Sequence, residues 1–234
     1  MLSVKAYVEP ILAYLPKGIP HHTDHGLRHS NNLLRLLVDF TKNFPGFVAS
    51  QEEKLLLYLA IHLHDVGCIL GRFQHNKKSI KLLRHRRFSF LEDRVGKDLL
   101  ACLNFVILSH SSDYDLSRVP RQPIHSNVRL RLICAIFRLL DECDISSARI
   151  SKALYDILTT YSKLNPKSLP FWEAHLNILT VIFRENDIII GTGNLTKTRA
   201  LIGPLRNKLK KINIVFEEEG FPRLNLNVVK LRFR

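Results

Sequence analysis

The sequence predicts a mainly α-helical bundle followed by a small α+β unit of ββαββ type. Apolar residues recur with a helical period through about the first three quarters of the 234-residue chain, as at Leu33, Leu37 and Phe40. Nearer the C-terminus, β-branched and aromatic runs replace that period and favour strands. The composition, 46% hydrophobic, is sufficient to bury a core. We therefore expect a helical domain over residues 1–175 and a small basic α+β subdomain over residues 176–234.

Six helices are predicted in order, and several carry end signals. Asp24 is a candidate cap for the first helix, and Ser50 with Glu53 has the spacing of a capping box at the second. Gly67 is expected to end the second helix, and the fourth contains one internal glycine. The predicted segments are residues 25–44, 50–67, 75–87, 92–110, 125–144 and 146–164.

The C-terminal unit is predicted to contain two pairs of strands around one helix. Residues 175–193 indicate two strands joined by an Arg-Glu-Asn-Asp turn. Residues 196–212 indicate a helix that Pro204 is expected to bend. Residues 213–233 indicate two further strands, which completes the ββαββ order.

The net charge of +14 is concentrated in residues 72–94 and 191–234. Such concentrations favour polyanionic partners, either a nucleotide, a nucleic acid or an acidic protein. A solvated basic surface that keeps the chain soluble explains them equally well. No motif that interleaves aromatic and basic residues for nucleic-acid binding is found.

Composition also suggests where the protein works. No apolar run approaches the ~20 residues that a membrane helix needs, and the N-terminal residues lack the pattern of a signal peptide. We therefore expect a cytoplasmic protein with no membrane segment. The chain has no CxxC pair, so its cysteines are expected to be buried free thiols: Cys68, Cys102, Cys134 and Cys143.

Three short segments combine imidazoles with carboxylates on predicted core helices: HTDHGLRHS, IHLHDVG and RLLDECD. His64 and Asp65 are adjacent near the end of one helix, while His29 lies on the preceding helix and Asp141 on a later one. Two nitrogen and two oxygen donors suit a divalent ion such as Mn, Fe, Ni, Zn or Mg. Burying these groups without a cation would be costly. The pattern therefore predicts a metal site between helices.

In this order, His29, the His64-Asp65 pair and the distant Asp141 resemble the HD superfamily of metal-dependent phosphohydrolases. The likeness covers about residues 14–150. It implies an HD-type helical bundle in which these four side chains hold one divalent ion. It further implies hydrolysis of a phosphoester, with a nucleotide as the expected substrate class, by water that the metal activates.

The resemblance also implies auxiliary residues. His75 and His110 correspond to ligands of a second ion in bimetallic relatives, and Asp65 is expected to take part in catalysis as well as in metal binding. His25, four residues before His29 and expected on the same helix face, resembles the histidine that protonates the leaving oxygen in cyclic nucleotide phosphodiesterases. A simpler role for His25 is to cap the helix or to orient a ligand.

Basic side chains beside the motifs are candidates for phosphate binding, although each is alternatively a surface charge: Arg28, Arg72, Lys77 and Lys78.

Two other functions are alternatives to the phosphohydrolase. One is a catalytically weak HD domain that serves as a nucleotide-sensing or interaction module. The other is nucleic-acid binding through the basic C-terminal unit.

Overall fold

The computed structural model describes residues 2–18 and 23–231, and within them the chain is mainly helical with a small C-terminal sheet, as predicted. The helices are α1 (Leu2–Gly18), α2 (Leu27–Asn43), α3 (Gln51–Leu63), α4 (His75–Leu83), α5 (Phe90–Val95), α6 (Lys97–Ser109), α7 (Leu130–Cys143), α8 (Lys152–Thr160), α9 (Leu169–Asn177) and α10 (Arg199–Glu218). The strands are β1 (Ile178–Arg184), β2 (Asp187–Thr192) and β3 (Asn225–Lys230).

The centre of the bundle is α7, which packs against α2, α3, α6 and α10. It is buried along nearly its whole length, and its apolar residues form much of the core, although Arg131 and Arg138 are buried with them. One polar group on it, Asp141, lies in its last turn, where the helix reaches the edge of the core. This deeply buried helix therefore ends at the candidate site.

The predicted capping box at the start of α3 is confirmed. Ser50 Oγ accepts a hydrogen bond from the Glu53 backbone N–H at 3.0 Å, and Glu53 Oε2 accepts from the Ser50 N–H at 3.3 Å. Glu53 is buried and also binds Arg129, whose Nη2 donates to Glu53 Oε2 at 2.8 Å. The cap therefore fixes α3 to the segment that leads into α7.

Several predicted helix ends are wrong for local reasons. The start of α2 is Leu27, because Gly26 is its N-terminal boundary and Asp24 binds the Gly26 N–H instead of capping the helix. Residues 92–110 form two helices, because Gly96 has φ +80°, which a helix interior does not allow. Residues 175–177 belong to α9, which has Pro170 in its first turn, a position where the missing N–H costs nothing.

The fourth strand of the predicted ββαββ unit is also wrong, and the unit is ββαβ. Helix α10 continues through Pro204 to Glu218, because Leu209, Ile212 and Phe216 extend one buried helical face. β1 pairs antiparallel with β2, and β2 pairs parallel with β3. A parallel pair needs a long crossover, which α10 supplies.

One hydrophobic core joins the helical part to the C-terminal part. Phe183 of β1 meets Phe40 of α2 with ring centroids 5.3 Å apart, and Phe216 of α10 meets Phe47 at 5.1 Å. The division of the chain at residue 175 stays a prediction.

The prediction of buried free thiols is confirmed for all four cysteines. Within the two described ranges, no single helix combines the length and the apolar character needed to cross a membrane. The bent pair Gln51–Leu70 with His75–Leu83, at 105°, meets both criteria only when its parts are taken together.

Candidate metal centre

The structure brings four predicted ligands together from three helices. His29 lies in the first turn of α2, His64 and Asp65 follow the end of α3, and Asp141 lies in the last turn of α7. His29 Nε2 is 3.1 Å from His64 Nε2, 3.2 Å from Asp141 Oδ1 and 3.8 Å from Asp65 Oδ2. His64 Nε2 is 3.4 Å from Asp65 Oδ2. All four side chains therefore meet at one point of the core.

The end of α3 is fixed by a close contact with α4. His64 Nδ1 donates to the Ala60 carbonyl at 3.0 Å, and Ser79 of α4 donates to the His64 carbonyl and accepts from the Gly67 N–H. A side chain at Gly67 would place its Cβ 2.3 Å from the His75 carbonyl oxygen. Glycine is therefore required for this approach, which holds the His64-Asp65 pair against the start of α4.

An outer carboxylate orients His29. Its Nδ1 donates to Asp144 Oδ2 at 2.6 Å, which directs Nε2 at the other ligands. Asn32 Nδ2 donates to the second oxygen of Asp144 at 3.1 Å. Asp144 was not predicted to take part in the site, although a carboxylate three residues after Asp141 is a signal that the two lie near each other.

The charges in this cluster compensate one another. Burial and the nearby Arg149 disfavour a charged His29, but hydrogen bonds with Asp141 and Asp144 outweigh both and raise its pKa to about 9. Burial opposes ionisation of Asp141, yet His29 and His64 hold its pKa well below the usual value. A proton on His29 therefore balances the buried acids, and a divalent ion would displace it.

The donor chemistry fits a divalent cation. The network assigns a proton to Nδ1 of His64, because that atom faces the Ala60 carbonyl, so the His64 Nε2 lone pair is directed at the acids. Two imidazole nitrogens with two carboxylates form a set that accepts several first-row metals or magnesium. Buried histidine and aspartate groups are thus positioned to hold a metal ion.

A second cluster lies on the other side of Asp65. Its Oδ1 is 3.1 Å from His75 Nε2 and 3.9 Å from His110 Nε2, and these two nitrogens are 2.7 Å apart. His110 Nδ1 donates to the Ile107 carbonyl at 2.6 Å. The Arg72 guanidinium is also part of this cluster, because its Nη1 donates to His75 Nε2 at 2.7 Å.

His25 reaches the centre from the loop before α2, so the expectation that it shares a helix face with His29 is wrong. Its Nδ1 lies 2.7 Å from Asp65 Oδ2 and 3.1 Å from Arg149 Nη2. Burial, the largest effect, lowers the pKa of His25 well below its ordinary value, although Asp65 opposes the change. The ring also lines the cavity described next.

A cavity of about 490 Å³ opens over the cluster. Basic and aromatic side chains line it: Arg72, Arg149, Lys167, Lys208, Phe171 and Trp172. Of the predicted phosphate-binding candidates, Arg72 lines this cavity, whereas Arg28 and Lys77 are exposed elsewhere. Lys78 donates to the backbone carbonyls of Leu70 and Gly71.

Two of these lining cations, Arg149 and Lys208, were missed from the sequence because they come from remote elements. Arg149 is held by the carbonyls of Asp24 and Asp144, at 2.9 and 3.0 Å. Lys208 of α10 donates to Glu142, the neighbour of Asp141, at 2.5 Å. No local motif marks either residue.

Comparison with protein families shows that the HD-CE family model matches residues 19–199. The matched segment contains all the residues of the metal centre and ends at the first residue of α10, so Lys208 lies beyond it. No curated protein matches the chain.

Proposed function

The chain belongs to the HD-CE family, and we propose that it is a metal-dependent phosphohydrolase that cleaves a phosphoester, with a nucleotide as its substrate class. The observation that carries the proposal is the convergence of His29, His64, Asp65 and Asp141 beneath a cavity with basic walls. His29 Nε2 lies within 4 Å of a donor atom of each of the other three side chains.

His29, His64, Asp65 and Asp141 would hold the ion. Bound there, a divalent ion supplies Lewis acidity, which polarises a phosphoryl oxygen and makes a water molecule more acidic. The protein keeps the ligands in place through Asp144, which binds His29, and through the Ala60 carbonyl, which binds His64. Outer contacts of this kind preserve ligand orientation and raise metal affinity.

His25 is proposed to give a proton to the leaving oxygen. It lines the cavity, and its ring contacts Asp65, so it would lie beside both a bound ion and a bound substrate. Negative charge on a bound phosphate would favour its protonated form, which burial alone disfavours.

The cavity walls support an anionic substrate with an aromatic part. Arg149 and Arg72 offer planar donors that suit phosphate oxygens. Phe171 is 45% exposed on the wall, which leaves its face available to a base. The volume lies within the roughly 300–1,000 Å³ of small-molecule sites. These features together favour a nucleotide over a bare phosphoester.

The test is a hydrolysis screen of the full chain after loading with Mn²⁺. Nucleoside mono-, di- and triphosphates and cyclic nucleotides are compared with simple phosphoesters. Asp65→Ala should lower the rate by about 10²-fold or more, because it removes a ligand of the ion that stabilises the transition state. Asp93→Ala, which changes an exposed aspartate, is the matched control. Equal rates in the two variants would defeat the proposal.

A second candidate is a nucleotide-sensing module without turnover. It is favoured by the cations and the aromatic ring of the cavity, which would bind a nucleotide with or without chemistry at the metal. Calorimetry with the substrates of the same screen distinguishes the sensing module from the enzyme. Tight binding without product supports the module, whereas product that depends on Asp65 supports the enzyme.

A further inference from the structure

The acceptors of the second cluster outnumber its donors. His75 Nδ1 donates to the Arg72 carbonyl at 3.1 Å, and His110 Nδ1 donates to the Ile107 carbonyl, so both Nε2 atoms carry lone pairs. These two atoms are 2.7 Å apart, and Asp65 Oδ1 is 3.1 Å from the first of them. Three buried acceptors around one point are costly unless a positive charge lies between them.

Arg72 supplies a cation at this point. Its Nη1 donates to His75 Nε2 at 2.7 Å and lies 3.8 Å from Asp65 Oδ1 and 3.9 Å from Cys68 Sγ. A neutral imidazole nitrogen has a single in-plane lone pair. His75 Nε2 therefore accepts from Arg72 or binds a metal ion, but it does not do both.

The backbone conformation of the loop around Arg72 positions its side chain for this contact. Gly71, just before it, has φ +99°, and Gln74, just before His75, has φ +51°, which is uncommon for a residue other than glycine. Lys78 Nζ binds the carbonyls of Leu70 and Gly71, which fixes the start of the loop. The loop thus presents both the carbonyl and the guanidinium of Arg72 to one histidine.

We infer that the Arg72 guanidinium is the resident cation of the cluster formed by Asp65, His75 and His110, and that it limits this chain to one divalent ion. The inference rests on the metal centre of the proposed function and deepens it. The ion belongs to the cluster of His29, His64, Asp65 and Asp141, while Arg72 fills the adjacent position. From there the guanidinium faces the cavity and is placed to bind a phosphate oxygen.

The experiment counts ions in the full chain. Mn²⁺ is titrated by calorimetry, and its content after desalting is measured by elemental analysis. The wild type should bind about one equivalent, and Arg72→Ala about two, because the lone pair of His75 is released. The double variant Arg72→Ala/His75→Ala should return to about one. Arg87→Ala, which removes an exposed arginine, should bind as the wild type does.

Electron paramagnetic resonance of the Mn²⁺-loaded samples gives a readout that is independent of activity. The wild type should show the hyperfine spectrum of an isolated ion. Arg72→Ala should show exchange coupling, because the ions of two-metal sites lie only about 3.5–4 Å apart.

About two equivalents in the wild type would overturn the inference, and so would about one in a folded Arg72→Ala protein. If Arg72→Ala gives no cooperative thermal unfolding, Arg72→Met replaces it, because methionine keeps the aliphatic stem without the charge. A wild type that binds one ion but hydrolyses nothing would defeat the phosphohydrolase proposal and leave the role of Arg72 intact. A wild type that binds none would defeat both.

Discussion

His29 Nδ1 lies 2.6 Å from Asp144 Oδ2, a contact between residues 115 positions apart that directs the opposite nitrogen of the ring at the metal centre. Asn32 and Arg149 hold Asp144 in turn, the first through its carboxylate and the second through its carbonyl. The orientation of His29 therefore depends on Asp144, which is not one of the four candidate ligands.

Asp144→Asn should weaken Mn²⁺ binding by about 10–100-fold, because the amide is a weaker partner for the His29 N–H. Competition with a metal-binding dye measures the change. Asp156→Asn, which alters an exposed carboxylate, should leave the affinity as it is. An unchanged affinity in Asp144→Asn would show that His29 needs no outer partner.

Two neighbouring acids on α7 are expected to differ in their effect on the amount of bound Mn²⁺. Asp141 faces His29 at 3.2 Å, whereas Glu142 pairs with Lys208 of α10. Asp141→Asn is therefore expected to lose most of its bound Mn²⁺ in elemental analysis, while Glu142→Gln keeps about one equivalent. Equal retention in both variants would place the ligand elsewhere.

Phe171 tests the substrate class. Phe171→Ala should raise KM for the nucleotide substrate by roughly 5–150-fold, which is equivalent to losing about 1–3 kcal/mol of base stacking. KM for glycerol phosphate, which has no base, should not change. Tyr161→Ala serves as the control, because that ring is 69% exposed and does not line the cavity. An equal rise of KM for both substrates would show that Phe171 does not stack on a base.

The pair of Glu53 and Arg129 predicts a pH-dependent stability. Burial raises the pKa of Glu53, but the hydrogen bonds from Arg129 outweigh it, and the pKa is lowered overall. A lowered pKa gives stability that is present above the unfolded value near 4.5 and is lost as the pH falls through the folded value.

Glu53→Gln should therefore reduce the free energy of unfolding by about 1 kcal/mol at neutral pH, because the neutral amide binds Arg129 more weakly, while the Arg129 side chain, 34% exposed, stays partly solvated. The difference from the wild type should shrink in acid. Urea unfolding at a series of pH values measures it. A difference that does not change with pH would mean that the pair contributes no charge interaction.

Local signals in the sequence predicted much of the fold. The capping box at Ser50 and the helical period of α2 depend on neighbouring residues, so they are readable without tertiary information. The order of His29, His64, Asp65 and Asp141 likewise predicted four side chains that the structure brings close together, and their role as metal ligands stays a prediction.

The wrong predictions fall where tertiary packing, and not the local sequence, determines the structure. Residues 213–218 have strand-like composition, but the buried face of α10 continues through them. Arg149 and Lys208 reach the cavity because the short helical turn Ser147–Arg149 and helix α10 lie beside it, and the local sequence pattern does not indicate that placement. A nucleic-acid partner for the basic C-terminal unit, and a cytoplasmic location, stay predictions.

The central claim is that one divalent ion lies between His29, His64, Asp65 and Asp141. Anomalous diffraction at the manganese edge, from a crystal of the Mn²⁺-loaded chain, tests it most directly. We predict one strong peak within ligand distance, roughly 2.0–2.4 Å, of Nε2 of both histidines and of both carboxylates. A well-ordered crystal with no peak at these four side chains, or with its peak at another place, would contradict the account.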